Sequence, residues 1–301
     1  VKSFISFRKE YAHPLPENHR FPMLKYELLP EQLKREGIVE DSDFFEPQEI
    51  AEEDILRAHS EDYLRQLENL SLSPREQRKT GFPHSPQLIE REKIIMQGSL
   101  DAAKAALDGG LGFNIAGGTH HAYTNRGEGF CLLNDIAITA LHLLTHKLVK
   151  QVLVVDLDVH QGNGTAEICA GNNRIFTFSM HGKANYPLHK EKSDLDIPLE
   201  TGTGGDVYLP LLEQNLERLL NQVKPDFVIY QSGVDVLKTD KLGHLGLSKA
   251  ECKERDQIVY SKLHSKDIPV MACMGGGYSE KVADIVDAHA NTYRVAREVY
   301  H

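Results

Sequence analysis

Cysteine is scarce: Cys131, Cys169, Cys252 and Cys273 are the four in 301 residues, and no two form a Cys-x-x-Cys pair. That spacing rules out a disulfide scaffold and a cysteine-rich zinc module. Long apolar runs are missing as well. No stretch approaches the roughly 18 apolar residues of a membrane-spanning helix. The opening segment VKSFISFRKEYAHPLPENHR has no signal-peptide core, so a cytoplasmic protein is the expectation. Positive charge is in deficit, with 34 Lys and Arg against 44 Asp and Glu and a net charge of −10. This balance disfavours a broad surface for nucleic acid or an anionic membrane, although it leaves room for a local basic patch. Linkers rich in Gly and Ser, low-complexity tracts, charged tails and fixed-period repeats are also absent.

What is present suits a large core: 41% hydrophobic and 26% charged residues. The length allows two domains or one large α/β domain. Ser71–Ser85 is the densest polar segment and reads as a loop between two helices. The residues before it hold few strong strands, so one domain spanning 1–301 is the expectation. The chain also carries 15 histidines, and with cysteine so sparse any metal site must use nitrogen and oxygen ligands.

Helical spacing of apolar residues appears within Pro47–Leu70, Pro86–Leu107 and Leu132–Leu148, with Gly109-Gly110 ending the second. The period then changes. QVLVVDLD at Gln151–Asp158, RIFTFSM at Arg174–Met180, DFVIYQ at Asp226–Gln231 and IPVMACM at Ile268–Met274 are short apolar runs. Helical candidates lie at Asp206–Gln222, Leu247–Leu263 and Glu280–Thr292. Alternation of this kind predicts a parallel sheet covered on both faces, with ligands gathered beyond the carboxyl ends of its strands.

Polar groups follow those strand ends. Asp158 and His160 share a parity, so on extended chain both side chains point one way and can close on one ion. Asp156 shares that parity behind them, and Asp235 is the best candidate for a third ligand. This donor set suits Zn2+, with Fe2+, Co2+ or Mn2+ as chemical alternatives. Adjacent His120 and His121 follow Gly117-Gly118 in a segment without periodicity, where both can point into a cavity and one could move a proton. Gly275-Gly276-Gly277-Tyr278 allows close backbone approach, and its tyrosine hydroxyl can donate to a developing oxyanion. No Gly-Lys-Ser/Thr follows, so a phosphate cradle is a poor reading. Taken singly, each cluster could equally be a loop or turn element.

In order, the motifs resemble the zinc-dependent histone deacetylase superfamily, and more narrowly its bacterial and class IV-like members, related in fold to arginases. The resemblance runs through His19-Arg20-Phe21-Pro22-Met23, Gly117–Ala122, Gly129–Asp135, Asp156–Thr165 and Ser179-Met180-His181. Asp235, Asp240–Gly243 and Gly275–Tyr278 complete it. It implies a three-layer α/β/α domain with a mainly parallel, eight-stranded sheet. It also implies Asp158, His160 and Asp235 as zinc ligands, His121 as general base, His120 as electrostatic support and Tyr278 as oxyanion donor. Asp156 would pair with His120. Asn163 stands where class I and II members have an aspartate behind His121, so His121 should be less basic than with a carboxylate partner. Gln161-Gly162-Asn163 resembles the class IV pattern. Asp156, Asp158, His160, Ser179 and Met180 align with a structural K+ site. Phe130 and Tyr186 would wall a substrate tunnel that Gly276 also lines, with Arg20 near its internal end.

The implied activity is hydrolysis of an acylated amine, such as acetyl-lysine in a peptide or an acetylpolyamine. An arginase-like ureohydrolase and a catalytically silent acyl-ligand binder are the alternatives; the first needs more bridging acids than the sequence offers. His142 and His146 lack a matched acid and read as ordinary helix residues. Glu167, His13 and His19 read as structural or surface groups, and Cys131 and Cys273 as core thiols. The sequence gives no reading of oligomeric state.

Overall fold

The computed structural model describes residues 4–300. Its strands are β1 (Ile5–Ser6), β2 (Phe44–Phe45), β3 (Leu111–Asn114), β4 (Val152–Asp156), β5 (Ile175–Gly182), β6 (Leu195–Leu199), β7 (Phe227–Gln231) and β8 (Val270–Cys273). They form one eight-stranded sheet in the order β2-β1-β3-β8-β7-β4-β5-β6. Every pairing is parallel. β3, β4, β7 and β8 are buried along their whole length. Their near-continuous apolar sequences follow from that, because both faces are covered.

The helices are α1 (Lys25–Arg35), α2 (Glu52–Ile55), α3 (Glu61–Glu68), α4 (Pro74–Thr80), α5 (Pro86–Gly109), α6 (Asp135–Thr145), α7 (Asn163–Cys169), α8 (Gly205–Val223), α9 (Lys249–His264) and α10 (Val282–Tyr300). α8, α9, α10 and α1 pack side by side in one row, while α5 packs on β3 and continues through α6 to α7. Three layers, α/β/α, result.

Local chemistry sets the helix ends. Ser85 caps α5 at the amide of Leu88, and Gly110 closes the helix in the left-handed conformation at φ +85°. Ser248 and Glu251 form a capping box on α9.

The expected loop at Ser71–Ser85 is a correction: it contains α4, started by Ser73 with a capping box to Glu76 and stopped by Gly81 at φ +81°. All of its residues are charged, polar or proline, so no apolar periodicity marks it. The residues ahead of it add β1 and β2 to one edge of the same sheet.

β3, β8, β7 and β4 are consecutive neighbours in the sheet although they come from distant parts of the chain. The segments leaving their carboxyl ends, 115–121, 274–278, 232–235 and 157–162, therefore meet above the sheet centre.

Candidate active site

Asp158 and His160 leave β4, and Asp235 leaves β7. Asp158 Oδ1 and Asp235 Oδ2 lie 3.0 and 3.1 Å from His160 Nδ1. Ligand atoms of all three residues lie within 4.8 Å of one another, and all three are buried. The remaining lone pairs hold the loops: Asp158 Oδ2 accepts from Gly276 N–H at 2.8 Å, and Asp235 Oδ1 from Val159 N–H at 2.9 Å. Burial pushes the Asp235 carboxyl up to about 7. Burial also pulls the His160 imidazole down, but hydrogen bonds to Asp158 and Asp235 overcome it and raise it to about 10. Two buried carboxylates and one imidazole nitrogen thus converge on a point that demands positive charge. This donor set fits a divalent transition metal such as Zn2+.

Gly276 explains part of the glycine run. A Cβ there would lie 2.0 Å from Asp235 Oδ2 and 2.8 Å from Asp158 Oδ2, so only glycine lets the backbone come this close to the cluster.

The two adjacent histidines are held differently. His120 Nδ1–H donates to Asp156 Oδ2 at 2.7 Å, and His121 Nδ1–H donates to Asn163 Oδ1 at 2.5 Å. Burial lowers His120, yet Asp156 and Asp158 outweigh it and hold it at about 9. Burial lowers His121 well below the ordinary imidazole value, and His120 and His160 add to that; the Asn163 hydrogen bond opposes it too weakly to reverse the shift. At neutral pH His121 is a neutral ring able to accept a proton, while His120 carries charge beside Asp156.

Their loop hangs on Asp135, to which the sequence assigned no role beyond its place in the Gly129–Asp135 motif. Its carboxylate accepts from Gly118 N–H, Thr119 N–H, Thr119 Oγ1–H and Ser99 Oγ–H at 2.6–3.0 Å. Gly117 and Gly118 both sit at φ +78°, the left-handed region that lets the chain turn here. Tyr278 is positioned by Asp240, whose Oδ2 accepts its N–H at 2.6 Å. Burial, and then Asp235 and Asp158, push the Tyr278 hydroxyl well above its ordinary value, so it stays a donor. Arg255 was also missed. Fully buried, it donates to Gly233 O at 2.5 Å and Ser232 O at 3.2 Å while pairing with Asp256 at 2.8 Å. A contact to Leu157 O at 3.4 Å ties in the segment after β4.

Two cavities meet at the cluster. An inner one of about 40 Å³ reaches Tyr26, Ile95 and Arg91. An outer one of about 520 Å³ opens past Tyr186 and Leu242. His121, Gly129, Phe130, His160 and Tyr278 line both. Phe130 and Tyr186 stand in the outer lining, and the Tyr186 ring lies 5.0 Å from that of His121. Gly276 lies on the inner side.

Arg20 is a correction. It is exposed at the outer mouth with its guanidinium 5.9 Å from the Phe130 ring, not at the internal end. Two cations are buried on the inner side: Arg91, which lines the inner cavity, and Lys25, whose Nζ donates to Gly275 O at 3.1 Å and lies 5.6 Å from the Tyr278 ring. Burial lowers this amine to about 8.

Asp156 and Ser179 pair across β4 and β5, and both are buried, as are Met180 and the cluster residues Asp158 and His160. His142 does have a matched acid, a second correction: its Nδ1 lies 2.7 Å from Asp54 Oδ1, which α2 supplies from far away in sequence. With His146 these form another group of metal-capable side chains, bridged by Arg57. His19 is structural, its ring nitrogens taken by Gly81 O and Phe21 N–H. Glu167 likewise accepts from Thr124.

Residues 19–293 match the family model described as the histone deacetylase domain. The chain is 40% identical over 296 residues to an uncharacterised protein of Picosynechococcus sp., covering 98% of this chain and 99% of that one. It is 31% identical over 277 residues to histone deacetylase 2 of Arabidopsis thaliana, covering 89% of this chain and 72% of that protein. The acetoin utilization protein AcuC of Staphylococcus xylosus is 28% identical over 281 residues, covering 86% of this chain and 73% of the relative. Among solved structures, an HDAC homolog from Aquifex aeolicus superposes with a TM-score of 0.84 at 23% identity, covering 98% of this chain and 84% of that one. That likeness concerns the fold. With the family model spanning residues 19–293, the chain belongs to the histone deacetylase domain family.

Proposed function

We propose that this protein is a zinc-dependent deacylase that hydrolyses an acylated amine to a free amine and a carboxylate, as a class IV-like member of its family. The observation that carries this reading is the convergence, where the two cavities meet, of a neutral His121, the Tyr278 hydroxyl and the Asp158–His160–Asp235 cluster. Zn2+ held by those three residues would supply Lewis acidity at the scissile carbonyl; Fe2+ or Co2+ could serve the same donors.

The protein's own groups do the rest. His121 takes a proton from the attacking water as the new C–O bond forms, and Asn163 holds the tautomer that leaves its Nε2 free. Tyr278 donates to the carbonyl oxygen as it gains charge. His120, charged beside Asp156, stabilises that negative charge without moving. The C–N bond then breaks, and the proton on His121 passes to the leaving amine. Asp156, Asp158, His160, Ser179 and Met180 would hold a structural K+ behind the ligands, supported by the side-by-side ends of β4 and β5.

A single ligand cluster at this site, among the described residues, favours this reading over a two-metal ureohydrolase. The test is hydrolysis of Nε-acetyl-lysine peptides by zinc-loaded protein, wild type against Tyr278→Phe. Loss of an oxyanion donor corresponds to about 3–4 kcal/mol, or roughly 10²–10³ in kcat, with metal content and fold retained. Equal turnover by the variant would remove Tyr278 from the chemistry. Zinc binding without turnover of any acyl amide would instead indicate a ligand-binding protein.

A further inference from the structure

The outer mouth carries charge opposite to that of the molecule. The chain has a net charge of −10. Yet the lining of the outer cavity contains Arg20, Arg78 and Lys79, all exposed. Arg78 and Lys79 lie on the last turn of α4, and the Gly81 that stops this helix lines the same cavity. Among the described residues, no carboxylate stands within ion-pairing distance of any of these three cations.

The single carboxylate in that lining, Glu128, is already engaged: Oε2 accepts from the Tyr186 hydroxyl at 2.5 Å and Oε1 from Arg126 Nε–H at 2.8 Å. The Glu128 side chain is also mostly covered, 15% exposed. A substrate arriving at the mouth thus meets three open cations and a neutralised anion. Arg20, Arg78 and Glu128 come from stretches of chain distant in sequence that meet at this cavity, held together by Gly129 N–H to Lys79 O and by His19 on Gly81 O.

We propose that the mouth selects acylated amines that carry carboxylates close to the reacting arm, and that Arg20, Arg78 and Lys79 are its specificity-determining residues. This rests on the deacylase reading and narrows its substrate class. When the methylene arm of an acyl-lysine passes Phe130 and Tyr186, its main chain and neighbouring residues remain at the mouth, where Coulomb attraction acts on them. Flanking Asp or Glu, or a free α-carboxylate, is attracted. Polycationic substrates, whether Lys- and Arg-rich tails or acetylpolyamines, are repelled. The shared chemistry is the carboxylate, from an acidic peptide or from a small N-acyl amino acid.

The experiment uses zinc-loaded protein and peptides with a central Nε-acetyl-lysine flanked by Asp, Ser or Lys. Nα,Nε-diacetyl-lysine as acid and as methylamide, together with N-acetylspermidine, forms a small-molecule arm. We expect kcat/KM to fall in the order Asp, Ser, Lys over a range of roughly tenfold at low ionic strength, mainly through KM. The range should collapse above about 0.5 M salt. Arg78→Glu combined with Lys79→Glu should invert the order. Arg75→Glu, on the same helix but outside the cavity lining, should leave the order intact.

A ranking confined to the peptides identifies the acidic peptide as the source, and one confined to the small pair identifies the small acid. Either supports the proposal. Equal turnover across charges, or preference for Lys-flanked peptides or the polyamine, overturns it while leaving the deacylase reading intact. No turnover of any substrate overturns both.

Discussion

His121 Nδ1 lies 2.5 Å from Asn163 Oδ1, whereas its neighbour His120 points Nδ1 at the Asp156 carboxylate 2.7 Å away. Two adjacent imidazoles with stacked roles thus differ in one atom type behind them, an amide oxygen against a carboxylate oxygen. The amide fixes a tautomer but contributes no full charge, which leaves burial to dominate His121 and keep it neutral. Asn163→Asp would add a buried negative charge at that point and favour the protonated ring. We expect the acidic limb of the kcat/KM profile to move to higher pH by about one unit, since His121 must then lose its proton before it can act as base. An unmoved limb would mean that His121 is not the group titrating in catalysis.

Gly276 supplies a separate probe of the metal cluster. A methyl group there would overlap Asp235 Oδ2 at 2.0 Å, and both carboxylates are anchored by backbone N–H groups and cannot swing freely. Gly276→Ala should therefore weaken metal binding by at least tenfold, in line with displaced ligand geometry, while the sheet remains folded. Zinc content after dialysis against a weak chelator, read beside circular dichroism, checks this. Full occupancy in a folded variant would show that the cluster is not the metal site.

The parts of this site that could be read in the sequence are those carried by strands buried on both faces. β4, β7 and β8 read as apolar runs. Asp158 and His160 do converge, but through a bend at 158–160 beyond the end of β4 and not through the parity of extended chain. β6, LDIPL, is an edge strand with half-exposed residues and a proline, so neither alternation nor a continuous apolar run marks it. β1 and β2 have two residues each and exist only because the sheet edge is there to pair with. Asp135 gives no local sign of its role, since its partners Ser99 and Thr119 come from other elements. Asp54, the acid that His142 lacks in sequence, is brought by the fold from 88 residues away. Arg20 shows the opposite error: a motif fixed its place in the chain, but only packing decided that it faces the mouth.

Arg255 shows what a long-range contact can carry. Its guanidinium spans Gly233 O and Ser232 O after β7 and reaches toward Leu157 O after β4, the two segments that present Asp235 and Asp158. Asp256 completes the charge and is held in turn by Tyr230 and Thr292. Arg255→Met would strand a buried carboxylate and unpair the carbonyls, a loss of about 3–5 kcal/mol. We expect a matching fall in urea-unfolding free energy at pH 7, with weaker zinc affinity in the fraction that folds. A loss below about 1 kcal/mol, the range of an exposed pair, would show that the cation is not needed there.

His59 couples the His120–His121 region to pH through stability. It is fully buried, donates from Nδ1 to Tyr123 O at 2.9 Å and accepts at Nε2 from Asn134 N–H at 2.9 Å. Asn134 caps α6 and donates to Ala122 O, next to His121. A protonated ring could not accept from Asn134, and burial depresses the folded-state value to about 4, against 6.5 for an ordinary imidazole. Below 6.5 the unfolded chain binds a proton that the native state refuses, so stability falls as pH drops from 6.5 toward 4 and this contribution levels off below 4. The whole span corresponds to about 3 kcal/mol, and above pH 7 the ring adds no slope. Urea unfolding of wild type and His59→Gln at pH 7, 6 and 5 isolates the effect from that of other titrating groups. The variant should be less stable at pH 7 and lose less on acidification; parallel curves would show that His59 does not carry the linkage.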